Sequence, residues 1–253
     1  MKNNEVKDYS VIKGLCTFVM YFVLSSMSTP LLKLFHVNVY DMSMTAKQIY
    51  LISYNILVAA IFLFAYKNDI KKEWIDFKKN YKKYFKENIK YWLFALAIMY
   101  ASNFIIAIIK YQTTGNISTA ENEEVIRQTL VQAPFYTFIA AAFLAPIIEE
   151  MTFRKSLRKV FRSDILFVII SSLIFGGLHV LTENVTALDL LYLIPYCAPG
   201  FAFAIIFVKT KNIFSTMSLH LLHNTILMTL QVILLTRGLL WKILLLSSLY
   251  LYY

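Results

Sequence analysis

Seven side chains capable of acid–base or hydrogen-bond chemistry lie in or beside long apolar stretches of the sequence. They belong to three short motifs: EEMTFR at residues 149–154, FGGLH at residues 175–179 and SLHLLHN at residues 218–224. An ionisable side chain costs about 3 kcal/mol to place at the centre of a membrane helix. Polar groups retained in such stretches are therefore candidates for function.

The two adjacent glutamates of the first motif are predicted to differ in role. On a helix, the side chains of Glu149 and Glu150 point about 100° apart. Glu150 and Arg154 are four residues apart, share a face and can form an ion pair. Glu149 is left without a local partner, and a carboxylate in apolar surroundings suits a general base. Alternatively, both glutamates lie at the cytosolic rim and merely end the span.

The other two motifs supply imidazole and amide groups. His179 follows two glycines that permit close approach of a helix or a substrate. His220 and Asn224 share a helix face and can donate hydrogen bonds to a developing oxyanion. His223 lies about 60° around that helix, and its role stays open. Alternatively, His179 is a buried structural residue, and His220 and Asn224 hold helices together.

Taken together, these residue types favour hydrolysis of an amide bond. A glutamate with a histidine can activate water, and a histidine with an asparagine can stabilise a tetrahedral oxyanion. The same chemistry is open to a zinc ion on Glu149, His179 and His220, although the sequence has no HExxH motif. A transporter would more often scatter its charges or contain inverted repeats, and neither is evident.

The elements that must position these groups are predicted to be membrane helices. The chain is 58% hydrophobic and only 16% charged, whereas a soluble domain is near half apolar and a quarter charged. Most apolar stretches approach the roughly 20 residues that cross a bilayer. We predict an all-α polytopic bundle of seven to eight transmembrane helices around an intramembrane cavity, at residues 11–29, 48–66, 91–109, 134–153, 164–181, 188–208, 212–235 and, for the eighth, 238–253.

The net charge of +10 is mostly a topology signal. Nine lysines fall between residues 67 and 90, and five basic residues fall between 154 and 162. The loops on the opposite side of the predicted spans contain few lysines and arginines. This alternation follows the positive-inside rule and predicts a multi-pass cell-membrane protein, with both termini in the cytosol if the eighth span crosses the membrane. Nucleic acid is not an expected partner. Aromatic and basic residues at 71–90 favour a helix on the anionic inner leaflet over a solvated basic loop, and the polar segment 112–124 is predicted to be an external loop.

The three motifs, in this order and spacing, resemble the CPBP family of CAAX-type prenyl endopeptidases and Abi or bacteriocin-processing intramembrane proteases. EEMTFR matches EExxxR, FGGLH matches FxxxH and begins at Phe175, and HLLHN matches HxxxN. The resemblance covers residues 133–235 of what we take to be a single membrane domain, 1–253. It implies that Glu149, assisted by His179, activates water.

The resemblance also implies that Glu150 and Arg154 support the site, that His220 and Asn224 form the oxyanion hole, and that Phe175 and His223 are possible additional members. The HxxxN pair favours a mechanism without a cofactor, with zinc as the alternative. The substrate implied is a membrane peptide or protein, such as a bacteriocin or pheromone precursor, because the Lys-, Ile- and Asn-rich composition suggests an AT-rich bacterial source. A non-catalytic immunity or scaffold protein is the alternative function.

One geometric difficulty accompanies this prediction. Residue counting places Glu149 in the inner half of its span and His179 about 22 Å along the next one. For the two to meet, the helix that carries Glu149 must continue past it, or the next helix must tilt or begin late.

Overall fold

The protein is all-helical over the residues that its computed structural model describes, which are 2–117, 119–181 and 185–238. Helices are expected in apolar surroundings, because each one satisfies its own backbone hydrogen bonds. The α-helices are α1 (Lys2–Ser26), α2 (Ser28–Leu34), α3 (Met44–Ala65), α4 (Lys67–Thr114), α5 (Glu121–Gln132), α6 (Pro134–Ile139), α7 (Ala145–Glu149), α8 (Leu157–Val160), α9 (Asp164–Val180), α10 (Leu193–Thr210) and α11 (Ile213–Thr236).

Side chains at three helix starts fix where those helices begin. Ser43, Ser163 and Asn212 each accept a hydrogen bond from a backbone N–H in the first turn of α3, α9 and α11. Such caps satisfy donors that have no partner inside the helix. At the other end, α4 stops at Gly115, whose φ of 75° is a left-handed conformation that favours glycine.

The number of membrane spans is not confirmed as seven or eight. Five helical segments are long and apolar enough to cross a membrane, or six if the bent pair α1–α2 is one span. Helix α9 is apolar but has only 17 residues. The predicted eighth span at 238–253 lies outside the described residues. The apolar helices are nevertheless those of a multi-pass membrane protein.

The segment that carries Glu149 is one 27-residue helical run, Pro134–Val160, interrupted by two π-helical segments. The first is Ala140–Leu144 and the second is Glu150–Ser156. In the first, the N–H of Ala145 donates to the carbonyl of Ala140, five residues back. Pro146 comes next and has no N–H, so it cannot donate to Ala141 in the same register. The sequence thus leaves the Ala141 carbonyl open to an outside donor.

Helix α4 differs from the prediction, because the basic segment 71–90 is continuous with the apolar span that follows it. The segment is helical, as one of the two sequence interpretations required. Helix α5 was not predicted, since its acidic first turn was assigned to an external loop. Acidic residues in the first turn are favourable at helix N-termini, and the loop is accordingly shorter than expected.

The basic half of α4 ties two other elements together. Glu73 accepts the backbone N–H of Ile213 at 2.8 Å, and it also forms an ion pair with Lys155 in the second π-helical segment. The Asn212 amide donates to the Glu73 carbonyl and to Asp76, each at 2.8 Å. Because Ile213 begins α11, α4 joins the two elements that carry EEMTFR and HLLHN.

Candidate active site

Glu150 lies at the centre of a fully buried cluster. Its side chain has 0% exposure. The residue is the first of the second π-helical segment. The Nδ1–H of His220 donates to Glu150 Oε1 at 2.9 Å, and Arg154 Nε lies 3.6 Å from Glu150 Oε2. The predicted ion pair with Arg154 is therefore present. The carboxylate also fixes the orientation of an imidazole from another helix, α11.

Arg154 connects this cluster to α9 and α10. Its guanidinium donates to Ser171 Oγ at 3.4 Å and to the carbonyl of Gly200 at 3.3 Å. It also lies over the Phe175 ring, 5.0 Å from the centroid. A Cβ at position 200 would meet Phe175 at 3.2 Å and the Ser172 backbone at 3.3 Å, so glycine permits this close approach. A buried guanidinium with these contacts holds three helical elements in a fixed arrangement.

Glu149 faces the opposite nitrogen of the same imidazole. Its Oε2 lies 3.6 Å from His220 Nε2, and its side chain keeps 14% of its surface exposed. That exposed surface belongs to a cavity of about 840 Å³. The adjacent glutamates therefore divide as expected, with Glu149 at the cavity and Glu150 against Arg154. The sequence did not predict that His220 would lie between them.

His179 lines the same cavity from α9. Its Nδ1 lies 2.7 Å from the carbonyl of Phe175. Because a carbonyl only accepts, Nδ1 carries the proton and the neutral ring keeps Nε2 as an acceptor. The ring stacks on Tyr196 at a centroid distance of 5.3 Å. Within the described residues no hydrogen bond or ion pair joins His179 to Glu149, although both line the same cavity.

The continuation of the helix past Glu149 removes the geometric difficulty noted in the sequence. The helical run that holds Glu149 extends to Val160, eleven residues further, instead of ending near residue 153. Glu149 therefore lies well inside the span, where His179 can reach the same cavity. This is the first of the two solutions that the sequence left open.

Close packing of α9 against α10 depends on the first glycine after Phe175. A Cβ on Gly176 would lie 2.3 Å from Cys197 Sγ and 2.9 Å from the Cys197 backbone nitrogen. A Cβ on Gly177 would meet only Leu181, at an ordinary 3.5 Å. The expected close approach is therefore made at Gly176, to a neighbouring helix.

Asn224 donates a hydrogen bond to the unpaired carbonyl of the first π-helical segment. Its Nδ2 donates to Ala141 O at 2.8 Å, which is the carbonyl that Pro146 cannot serve. This bond uses one of the two amide hydrogens and orients the side chain at the cavity wall. Asn224 therefore fixes α11 against the helix that carries Glu149.

His223 also lines the cavity, one turn from His220. The indole N–H of Trp92 donates to His223 Nδ1 at 3.3 Å. Both histidines pack against the Phe203 ring, His220 stacked at 4.6 Å and His223 edge-on at 6.3 Å. A tryptophan in an apolar span cannot be told from a packing residue by sequence, so this partner was missed.

The cavity wall contains polar residues outside the three motifs. Asn55 of α3 and Asn103 of α4 line the cavity. Tyr196 was missed, although it follows the cavity-lining Pro195. Membrane helices also use asparagine for hydrogen bonds between helices, so the residue type alone does not separate a structural role from a functional one.

The three residues named for a possible zinc ion do not form a ligand group. In the described ranges no set of three or more His, Cys, Asp or Glu side chains is arranged to hold a metal. Nδ1 of His220 is used by Glu150 and Nδ1 of His179 by a carbonyl, which leaves one nitrogen each. These two bonds do not themselves oppose zinc, because a histidine ligand commonly donates its other ring N–H to a carboxylate or a carbonyl.

Comparison with known proteins gives a consistent picture. The chain is 31% identical over 148 residues to the Bacillus subtilis protein named "Putative membrane peptidase YdiL", over 54% of this chain and 57% of that protein. It is 29% identical over 178 residues to an uncharacterised Mycoplasma capricolum protein, over 63% of this chain and 49% of the other. It is also 26% identical over 198 residues to the Lactococcus lactis protein UPF0177 YaiH, over 78% of each chain.

The chain thus spans about half the length of the first two of these relatives. No solved structure matches it. The family model described as "Type II CAAX prenyl endopeptidase Rce1-like" matches residues 131–226, a range that holds every residue of the three motifs. The resemblance to CAAX-type prenyl endopeptidases expected from those motifs is therefore confirmed, and residues 131–226 are similar to the Rce1-like family.

Proposed function

We propose that the chain is an intramembrane endopeptidase that hydrolyses a peptide bond of a membrane-associated peptide or protein. The observation that carries the proposal is the arrangement of Glu149, His179, His220 and Asn224. They come from three different helical elements and line one cavity of about 840 Å³. A packing role for each residue would not require all four to line the same space.

In the proposed reaction, Glu149 is the general base. Its carboxylate takes a proton from a cavity water, whose oxygen attacks the carbonyl carbon of the scissile bond. His179 assists at the same water through Nε2, the acceptor that its bond to Phe175 leaves available. The proton is then delivered to the leaving amine as the C–N bond breaks. The water oxygen thus ends in the new carboxyl group, and the proton taken by Glu149 ends on the amine.

The developing oxyanion is stabilised by donors from α11. His220, held through Nδ1 by Glu150, offers Nε2–H when protonated, and Asn224 offers its second amide hydrogen. Glu150 and Arg154 act as positioning residues, because both are fully buried away from the cavity. The substrate lies in the bilayer, whose inner leaflet is anionic, and it reaches the cavity by moving within the plane of the membrane. The natural substrate class favoured here is a bacterial peptide precursor.

The test compares peptides in cell and medium from bacteria that express either the wild type or Glu149→Gln. Peptides released only by the wild type identify the substrate, and Glu149→Gln and His220→Ala should each abolish its cleavage in detergent. Phe135→Ala is the matched control, because Phe135 is 68% exposed and does not line the cavity. Full cleavage by Glu149→Gln would refute the proposal and favour a binding or immunity role.

Metal dependence is tested on the same substrate. The purified wild type is incubated with a chelator, and its metal content is measured. We expect cleavage to continue at an unchanged rate. A stoichiometric zinc ion whose removal stops cleavage would replace the metal-free reaction with a zinc-dependent one.

A further inference from the structure

The residue of the HLLHN segment whose role the motifs leave open has a defined chemical state. We propose that His223, positioned by Trp92, is a further substrate-binding residue, whose Nε2–H donates a hydrogen bond to a peptide carbonyl of the substrate. The inference rests on the proposed function and adds a recognition group to the same cavity.

The tautomer of His223 follows from its partner. An indole N–H only donates, so Nδ1 of His223 must hold a lone pair to accept from Trp92 at 3.3 Å. A neutral imidazole with a lone pair on Nδ1 carries its proton on Nε2. His223 is therefore a fixed, uncharged donor, the opposite tautomer to that of His179.

The donor atom is directed at the cavity. His223 is 7% exposed and lines the cavity. In the described part of the chain, five buried side-chain polar atoms lack a hydrogen bond, and Nε2 of His223 is not among them. The only hydrogen bond described for this side chain is the one at Nδ1. Nε2 therefore reaches open space, and beside His223 that space is the cavity.

A peptide carbonyl is the group that this donor suits. A neutral N–H suits a neutral acceptor, because a charged group would also have to be desolvated in the cavity. His220 and His223 lie one turn apart and pack on the same Phe203 ring. A chain whose scissile carbonyl lies at His220 would therefore present a carbonyl within reach of His223.

Two substitutions separate this role from a structural one. Glutamine places an amide N–H near the position of the imidazole Nε2 and has nothing at the Nδ1 position. Asparagine places an acceptor near the Nδ1 position, which retains the bond from Trp92, and has no donor that reaches the cavity. Recognition therefore predicts that His223→Gln is the more active variant, and a structural role predicts that His223→Asn is.

The probe is an apolar fluorogenic decapeptide, chosen from a quenched set in detergent micelles because the wild type cleaves it and Glu149→Gln does not. His223→Asn should lower kcat/KM by a factor on the order of 100, the loss typical of one preorganised donor. The kcat/KM of His223→Gln should be at least about tenfold higher than that of His223→Asn. Equal rates for the two variants, or a faster His223→Asn, would overturn the inference.

A second measurement does not need activity. Nitrogen-15 spectra of histidine-labelled protein should assign the proton of His223 to Nε2, and Trp92→Phe should shift the ring toward a mixture of tautomers. A proton on Nδ1 in the wild type would overturn the inference whatever the rates. If the wild type cleaves no peptide while the tautomer is as stated, the proposed function fails and the tautomer assignment stands.

Discussion

Replacing Glu150 with glutamine is predicted to destabilise the protein far more than the same change at Glu149. The Glu150 side chain is fully buried between Arg154, 3.6 Å away, and His220, 2.9 Å away. Glutamine has the same size and still presents an oxygen to the Nδ1–H of His220. What it removes is the negative charge, which leaves the Arg154 guanidinium buried without its compensating partner.

The size of the effect follows from that loss. Removing one member of a buried ion pair costs about 3–5 kcal/mol, because the remaining charge stays desolvated. For a chain of this length each kcal/mol lowers the unfolding midpoint by about 2–4 °C, so we expect a decrease of about 6–20 °C. The hydrogen bonds from Arg154 to Ser171 and Gly200 persist, and they keep the loss toward the lower end of that range.

Glu149→Gln is the matched control, because it is the same substitution one residue away. In the described part of the chain Glu149 has one ion contact, to His220 at 3.6 Å, and its side chain opens on the cavity. Its replacement therefore leaves no fully buried cation without its partner and should cost no more than about 1 kcal/mol. Both variants are purified in one detergent and unfolded by heat with fluorescence detection. Equal midpoints for the two variants would refute the division between a cavity glutamate and a structural glutamate.

Two further predictions concern packing. Gly176→Ala should cost about 1–3 kcal/mol and lower the unfolding midpoint, because its Cβ would lie 2.3 Å from Cys197 Sγ. Gly177→Ala, with ordinary clearance, should leave it unchanged, and a stable Gly176→Ala would contradict the close approach. Glu73→Gln should speed hydrogen exchange in the first turn of α11. The substitution weakens the hydrogen bond that the Ile213 N–H donates to the Glu73 side chain, and it removes the ion pair with Lys155. Glu87 is exposed, so Glu87→Gln should not change that exchange. Unchanged protection in Glu73→Gln would argue that the hydrogen bond from Ile213 to Glu73 does not stabilise the start of α11.

Much of the fold could be predicted from sequence, because membrane helices are long and apolar. The predicted spans 48–66 and 212–235 correspond to Met44–Ala65 and Ile213–Thr236. The π-helical segments could not be predicted, because their register depends on packing as well as on Pro146. The continuity of α4 was missed because the change from lysine-rich to apolar sequence at residue 91 resembles a boundary, although no helix-breaking residue lies there.

The site was predictable where it depends on local spacing and not where it depends on contacts between helices. Glu150 and Arg154 pair because they are four residues apart, which holds for any helix near that register. The position of His220 depends on how α11 lies against the second π-helical segment. The motifs therefore selected residues that line one cavity or lie buried beside it, whereas the partner of each residue required coordinates.

The contact of both glutamates with one imidazole changes the chemical meaning of the adjacent pair. Counting along the helix separates their side chains by about 100° and suggests two independent roles. In the structure, Glu150 Oε1 contacts Nδ1 and Glu149 Oε2 contacts Nε2 of His220, so the roles are linked through a single ring. A shift of Glu150 must therefore move the imidazole relative to Glu149. Arg154, which anchors Glu150 to α9 and α10, is thus linked through Glu150 and His220 to Glu149, the proposed base.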